Sequence, residues 1–256
     1  MFDPSAIPDP ASDRPDKLYM GNWSYQLAQG WGKEGVKEFM RIYYAGVKYV
    51  DDQVGRLLDA LKRNGQDKNT LVIFLSDHGD MLGNHGMVWK TTDSFYQDLV
   101  RIPMIISCPG VVRAGQYAMP VSVVDLMPTL LSAAGRKEIL PAGRPGIDLI
   151  PWLDGRKNAG TFPRKYVVCE RIDNNAQGRR EVLPGAKAGF MISDTQWKLV
   201  QYTNGDRLLY DLKTDPDETA DLASSPRAAA TLDRLRHALA EWLEQTQWRG
   251  GMDFVR

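Results

Sequence analysis

The residue types best suited to chemistry sit together in one stretch, TLVIFLSDHGDMLGNHGMVWK. Asp77 and His78 come first, His85 follows in a Gly-flanked loop, and Lys90 stands a dozen residues after the pair. A carboxylate is a ligand for hard cations such as Ca2+ or Mg2+. The adjacent imidazole also suits Mn2+ or Zn2+. A lysine is a point charge for a sulfate or phosphate oxygen. Together these groups describe a metal site that handles an anionic ester. Each has an ordinary explanation when taken alone: Asp77 as a turn residue, His85 as a loop histidine, Lys90 as a solvated cation. Their clustering, with Gly79 allowing close backbone approach, favours the chemical reading.

The elements that must position these groups are legible around them. Residues 71–75 form an apolar run that ends at Ser76, which predicts a buried strand delivering Asp77 and His78 at its C-terminal end. In open α/β sheets, ligands bind just outside those ends. Upstream, Val36, Phe39, Met40, Tyr43, Val47, Val50, Val54, Leu57, Leu58 and Leu61 recur at spacings of three and four. That predicts a long amphipathic helix over residues 33–64, closed by Gly65. Downstream, the sequence predicts a helix over 91–100 capped by Thr92 or Asp93, a short buried strand at 104–106, and a helix over 122–134 capped by Ser122 or Asp125. Residues 136–165 read as a long connection. Short strands are predicted at 165–170, 189–193, 197–202 and 207–210, as a small antiparallel sheet. An amphipathic helix over 227–246 follows, with Leu232, Leu235, Leu239, Trp242 and Leu243 on one face.

Composition excludes several classes. The 256 residues carry 32 basic and 32 acidic side chains, so nothing points to a nucleic-acid or polyanion binder. No apolar run approaches the ~20 residues of a membrane span. The opening MFDPSAIPDPASDRPDK has neither the basic nor the apolar region of a signal peptide. Cys108 and Cys169 could form one disulfide, but they lack metal-type spacing and read as two half-buried free thiols. Asp51 and Asp52 are neighbours in a helix and point about 100° apart, so a structural role is expected, with Asp52 paired to Arg56. His237 reads as a surface residue, and the basic residues of 156–165 as solvated loop charges.

The segments YYAGVKYVDDQVGRLLDALKRNG, TLVIFLSDHGDMLGNHGMVWK, VRIPMIISCPG, VSVVDLMPTLLSAAG and WKLVQY…RLLYDLKTDPDETADLA, in this order, resemble the C-terminal portion of a sulfatase of the alkaline-phosphatase-like superfamily. The resemblance implies an α/β fold: part of an α/β/α sandwich over residues 1–164, then a small antiparallel sheet and terminal helix over 165–256. It implies that Asp77 and His78 are metal ligands and that Lys90 contacts the sulfate and the nucleophile; Lys90 and, in a less fixed role, His85 are the expected catalytic and substrate-binding residues. The expected cofactor is a divalent metal, Ca2+ first, with Mn2+, Mg2+ or Zn2+ as alternatives. The expected substrate is a small-molecule or carbohydrate sulfate ester.

The departures from that pattern are as informative. The family's nucleophile is a formylglycine made from Cys in a C-x-P-S-R type motif, and Cys108-Pro109-Gly110 and Cys169-Glu170-Arg171 do not match it. No paired aspartate precedes the long helix. The resemblance therefore predicts a truncated sulfatase that lacks roughly 200 N-terminal residues, a typical domain's worth. Such a chain would hold half a metal site, be inactive alone and expose apolar faces. Two alternatives are a phosphonate monoester or phosphodiester hydrolase of the same superfamily, and a non-catalytic sulfatase-like module.

Overall fold

The computed structural model describes residues 7–91, 94–140, 143, 145–172, 188–248 and 252–255. In chain order its elements are α1 (Trp23–Arg63), β1 (Val72–Leu75), α2 (Gln97–Val100), β2 (Met104–Ser107), α3 (Leu126–Ala133), α4 (Ile150–Leu153), β3 (Val167–Ile172), β4 (Ala188–Ser193), β5 (Trp197–Tyr202), β6 (Arg207–Asp211) and α5 (Ala229–Gln245). The chain divides into two compact units. One comprises Met1–Tyr43, His78–Ile102 and Val168–Arg256, and the other Tyr44–Asp77 and Pro103–Val167. Two segments earlier than residue 164 group with the C-terminal sheet in this division.

In the unit that contains β1 and β2, the two strands pair antiparallel, with Val72 opposite Ser107 and Leu75 opposite Met104. The buried character expected of both strands is not realised: Phe74 is 38% exposed and Ile105 62%. Each strand has one hydrogen-bonded neighbour among the described residues. After β2, Ser122 and Asp125 form a capping box ahead of α3, and Gly135 takes the left-handed conformation that ends the helix. The short α4 lies within the connection expected to be irregular. Arg164 is not the solvated loop charge expected of it. Its Nη1 and Nη2 donate to the Asp125 carboxylate, at 2.5 and 2.6 Å, and the Asp125 side chain is fully buried.

Helix α1 crosses both units. It begins ten residues before the periodic stretch, and Gly32 interrupts it with φ 65° and ψ −179°. Beyond Gly32 the helix follows the predicted span, and Gly65 and Gln66 donate to Lys62 O and Leu61 O in a Schellman closure. The expected Asp52–Arg56 pair is replaced. Asp52 takes Lys48 one turn earlier, while Arg56 donates to Gln53. Much of the apolar stripe is open, with Val47 52%, Val50 50% and Leu57 67% exposed.

The other unit is built on a four-stranded sheet in the order β3-β4-β5-β6, with β4–β5 and β5–β6 both antiparallel. The predicted strands lie within two residues of these. Helix α5 buries Leu235, Leu239 and Leu243 completely, as the four-residue spacing requires. The core joins Met191, Val200, Tyr202, Leu208 and Tyr210 of the sheet to Tyr19, Met81, Met87, Tyr96 and Leu99. The loop that carries the candidate site is thus packed on the sheet. The expected helix over 91–100 forms only from Gln97 to Val100 with Tyr96 as its N-cap; the proposed caps Thr92 and Asp93 lie outside the described residues. Cys108 and Cys169 are free thiols, and burial raises the Cys169 thiol pKa.

Candidate metal and anion site

Asp77 follows the end of β1, and its side chain is exposed. His78 is half-buried. Its Nδ1 lies 2.7 Å from the Gly79 carbonyl oxygen. A carbonyl only accepts, so Nδ1 donates this bond, which orients the ring as such bonds orient metal-binding imidazoles.

The chain from Gly79 to Lys90 doubles back on itself. Gly83 N–H donates to Met87 O at 2.8 Å, and Met81 N–H donates to Trp89 O at 3.2 Å. These two bonds close a neck that brings Lys90 back toward Asp80 and the His78 end of the loop. Asp80 reinforces the neck: its Oδ1 accepts from Leu82 N–H at 2.9 Å. Burial raises its carboxyl pKa, opposed by the Leu82 and Trp89 backbone amides. Such a reversal needs left-handed residues, and Leu82, Gly83, His85, Gly86 and Trp89 all have positive φ. Two further bonds tie the loop to its support. Asn84 Nδ2 donates to Asp98 Oδ1 at 2.8 Å, and Gly79 N–H donates to Leu99 O at 2.9 Å. Lys90, at the far side of the neck, is exposed.

His85 stands apart from the other candidates. It is 3% exposed, and its ring stacks on Tyr96 at 3.8 Å between centroids. Burial is the chief cause that lowers its pKa. The imidazole faces the protein interior and supports the loop from beneath. The residues that shape the neck, Asp80, Asn84 and Asp98, were not singled out by sequence. Asp80 carried a signal in the Asp-x-Leu-Gly pattern of an Asx-type turn. Asp98 carried none, because its partner is 14 residues away.

Among the described residues, no group of three or more His, Cys, Asp or Glu side chains could hold a metal ion. Asp77 and His78 therefore fit a divalent cation in type but supply only part of a donor set. His237 is an exposed residue of α5 beside Glu241, as expected.

A family model described as Sulfatase matches residues 8–136, and one described as N-sulphoglucosamine sulphohydrolase, C-terminal, matches residues 83–245. A choline-sulfatase of Rhizobium meliloti is 32% identical over 80% of this chain and 37% of its own length. A solved structure described as a complex with its substrate D-glucosamine-2-N,6-O-disulfate is 28% identical, with a TM-score of 0.73 over 87% of this chain and 44% of its own. A phosphonate monoester hydrolase of Agrobacterium radiobacter is 27% identical, with a TM-score of 0.73 over 96% and 52%. The chain thus spans about half or less of the length of each.

Proposed function

This chain belongs to the sulfatase family, and on that premise we propose that it carries one side of a site for hydrolysing sulfate esters. Sulfatases generally use a divalent metal. In our reading Asp77 and His78 would hold that cation, Ca2+ in the first instance, together with donors from outside the described set. Bound there, it would offset the negative charge of the ester oxygens. Lys90 would contact a sulfate oxygen from the other side of the neck. The Nδ1–H bond of His78 orients its ring, Asp80 keeps the neck closed, and His85 fixes the loop by stacking rather than by touching substrate. The observation that carries this reading is the neck itself. It brings the return of the loop at Lys90 toward the His78 end, and two glycines and three strained residues maintain it.

The nucleophile is not among these residues. Cys108 and Cys169 lack the sequence that is converted to formylglycine in this family. Alone, the chain is expected to bind a cation weakly and to turn over no ester. The substrate class we favour is a sulfated carbohydrate, supported by the relative solved with a glucosamine disulfate. A Tb3+ luminescence titration of the purified chain tests the metal half. We expect weak binding that Ca2+ displaces and Asp77→Ala abolishes; equal binding by Asp77→Ala would overturn the assignment. A clear rate on an aryl sulfate by the purified chain, lost in Asp77→Ala, would overturn the expected inactivity.

The likeness to a phosphonate monoester hydrolase supports a second reading, since an Asp-His pair and a lysine also suit phosphoryl oxygens. Competition for the Lys90 side by sulfate against methylphosphonate, compared in the parent and Lys90→Ala, separates the two.

A further inference from the structure

Lys198 in β5 and Glu218, beyond β6, are among the most buried charged residues of the chain, with side chains 0% and 1% exposed. Their charged groups are in direct contact. Neither is satisfied by the other alone. Lys198 Nζ also donates to Phe95 O at 2.5 Å, and Glu218 Oε2 accepts from Gln97 N–H at 2.5 Å. Both therefore grip the same three-residue stretch of backbone, the entry to α2. From there the path to the loop is short. Asp98 holds Asn84, and Leu99 O holds Gly79 N–H.

Such a pair is costly to bury, and apolar side chains of similar volume often stabilise a core as well or better. Burial here pushes the Lys198 ammonium pKa down and the Glu218 carboxyl pKa up. Glu218 also has a left-handed backbone, φ 52°, a strain that persists only where surrounding contacts impose it. An arrangement that works against both ionisation and backbone preference, and whose bonds converge on one stretch of main chain, points to positioning.

We propose that Lys198 and Glu218 are positioning residues, a buried ion pair through which the antiparallel sheet fixes the loop bearing His78 and Lys90. The importance of that loop rests on the function proposed above; its mechanical dependence on the pair does not.

Hydrogen exchange in the full chain tests this. Removing one partner strands a buried charge, so the informative variants replace both. In Lys198→Met/Glu218→Leu, amides of Gly79, Met81 and Gly83 are expected to exchange about tenfold faster or more, the weight of one net hydrogen bond. Amides of α5 are expected to keep their parental rates. In Lys198→Met/Glu218→Gln, the glutamine can still accept from Gln97 N–H, so an intermediate acceleration is expected. Unchanged loop exchange would overturn the proposal. So would equal acceleration of loop and α5, or failure of both variants to fold, because each makes the pair a general core contact. An absence of cation binding in the parent would sink the proposed function and leave this result standing.

Discussion

His85 lies flat against Tyr96, with ring centroids 3.8 Å apart and planes 11° from parallel. The stack sits beneath the loop and shields the imidazole from water, which lowers its pKa from the ordinary 6.5. The folded chain therefore resists a proton that the unfolded chain accepts near pH 6.5. Between the folded value and 6.5, the unfolded state binds more protons, so stability rises with pH there and falls on acidification. The urea midpoint is expected to decline as pH drops below 6.5, and His85→Phe, which keeps a ring on Tyr96, to flatten that decline. An equally steep decline in His85→Phe would remove His85 as its cause.

Gly79 admits no side chain. A Cβ built there would meet Asp98 O at 1.8 Å. Gly79→Ala must push α2 and the loop apart and lose the bond to Leu99 O. We expect a destabilisation of about 1–3 kcal/mol, as for other overpacked sites. Thermal denaturation measures it, and a melting temperature unchanged from the parent would contradict the close approach.

Asp125 organises the turn into α3. Besides Arg164, it accepts from Ser122 N–H and Ile147 N–H, both at 2.8 Å. Asp125→Ala leaves a partly buried guanidinium and two amides unpaired. Breaking a buried pair from one side typically costs about 3–5 kcal/mol, and a loss in that range is expected by urea denaturation. Arg164→Met should cost less, since both amides keep their acceptor. The reverse order would show that Arg164 rather than Asp125 anchors the turn.

The open stripe on α1 should drive self-association. Val47 is 52% and Leu57 67% exposed, and contiguous apolar patches on soluble chains mark contact sites or aggregation. Light scattering should rise with concentration in the parent and fall in Val47→Lys/Leu57→Lys, with helical content unchanged by circular dichroism. Identical scattering from both proteins would place the association elsewhere.

What the sequence made legible was local. The spacing of Leu235, Leu239 and Leu243 defined one face of α5, and the β-branched and aromatic runs from 189 to 210 placed strands within two residues. Asp77, His78 and Lys90 could be picked out as candidates because they fall within one short stretch. What escaped depends on partners remote in sequence. Nothing in 156–165 marks Arg164 as different from its basic neighbours; it differs because Asp125 lies 39 residues away with a buried carboxylate. The stacking of His85 could not be seen without Tyr96. Asp52 had cations available on both sides, Lys48 and Arg56; it pairs with Lys48, while Arg56 donates to Gln53. Strands β1 and β2 looked buried from composition, yet burial requires a covering layer, which apolar character does not supply.

The neck formed by Met81–Trp89 and Gly83–Met87 has a consequence for how such a site can vary. The separation between its two ends is set by these two backbone hydrogen bonds, not by the number of residues beyond them. Extra length inserted around Asn84 would enlarge the tip and leave the gap between His78 and Lys90 as it is. The loop can change its outline, and whatever that outline meets, without retuning the charges at its base.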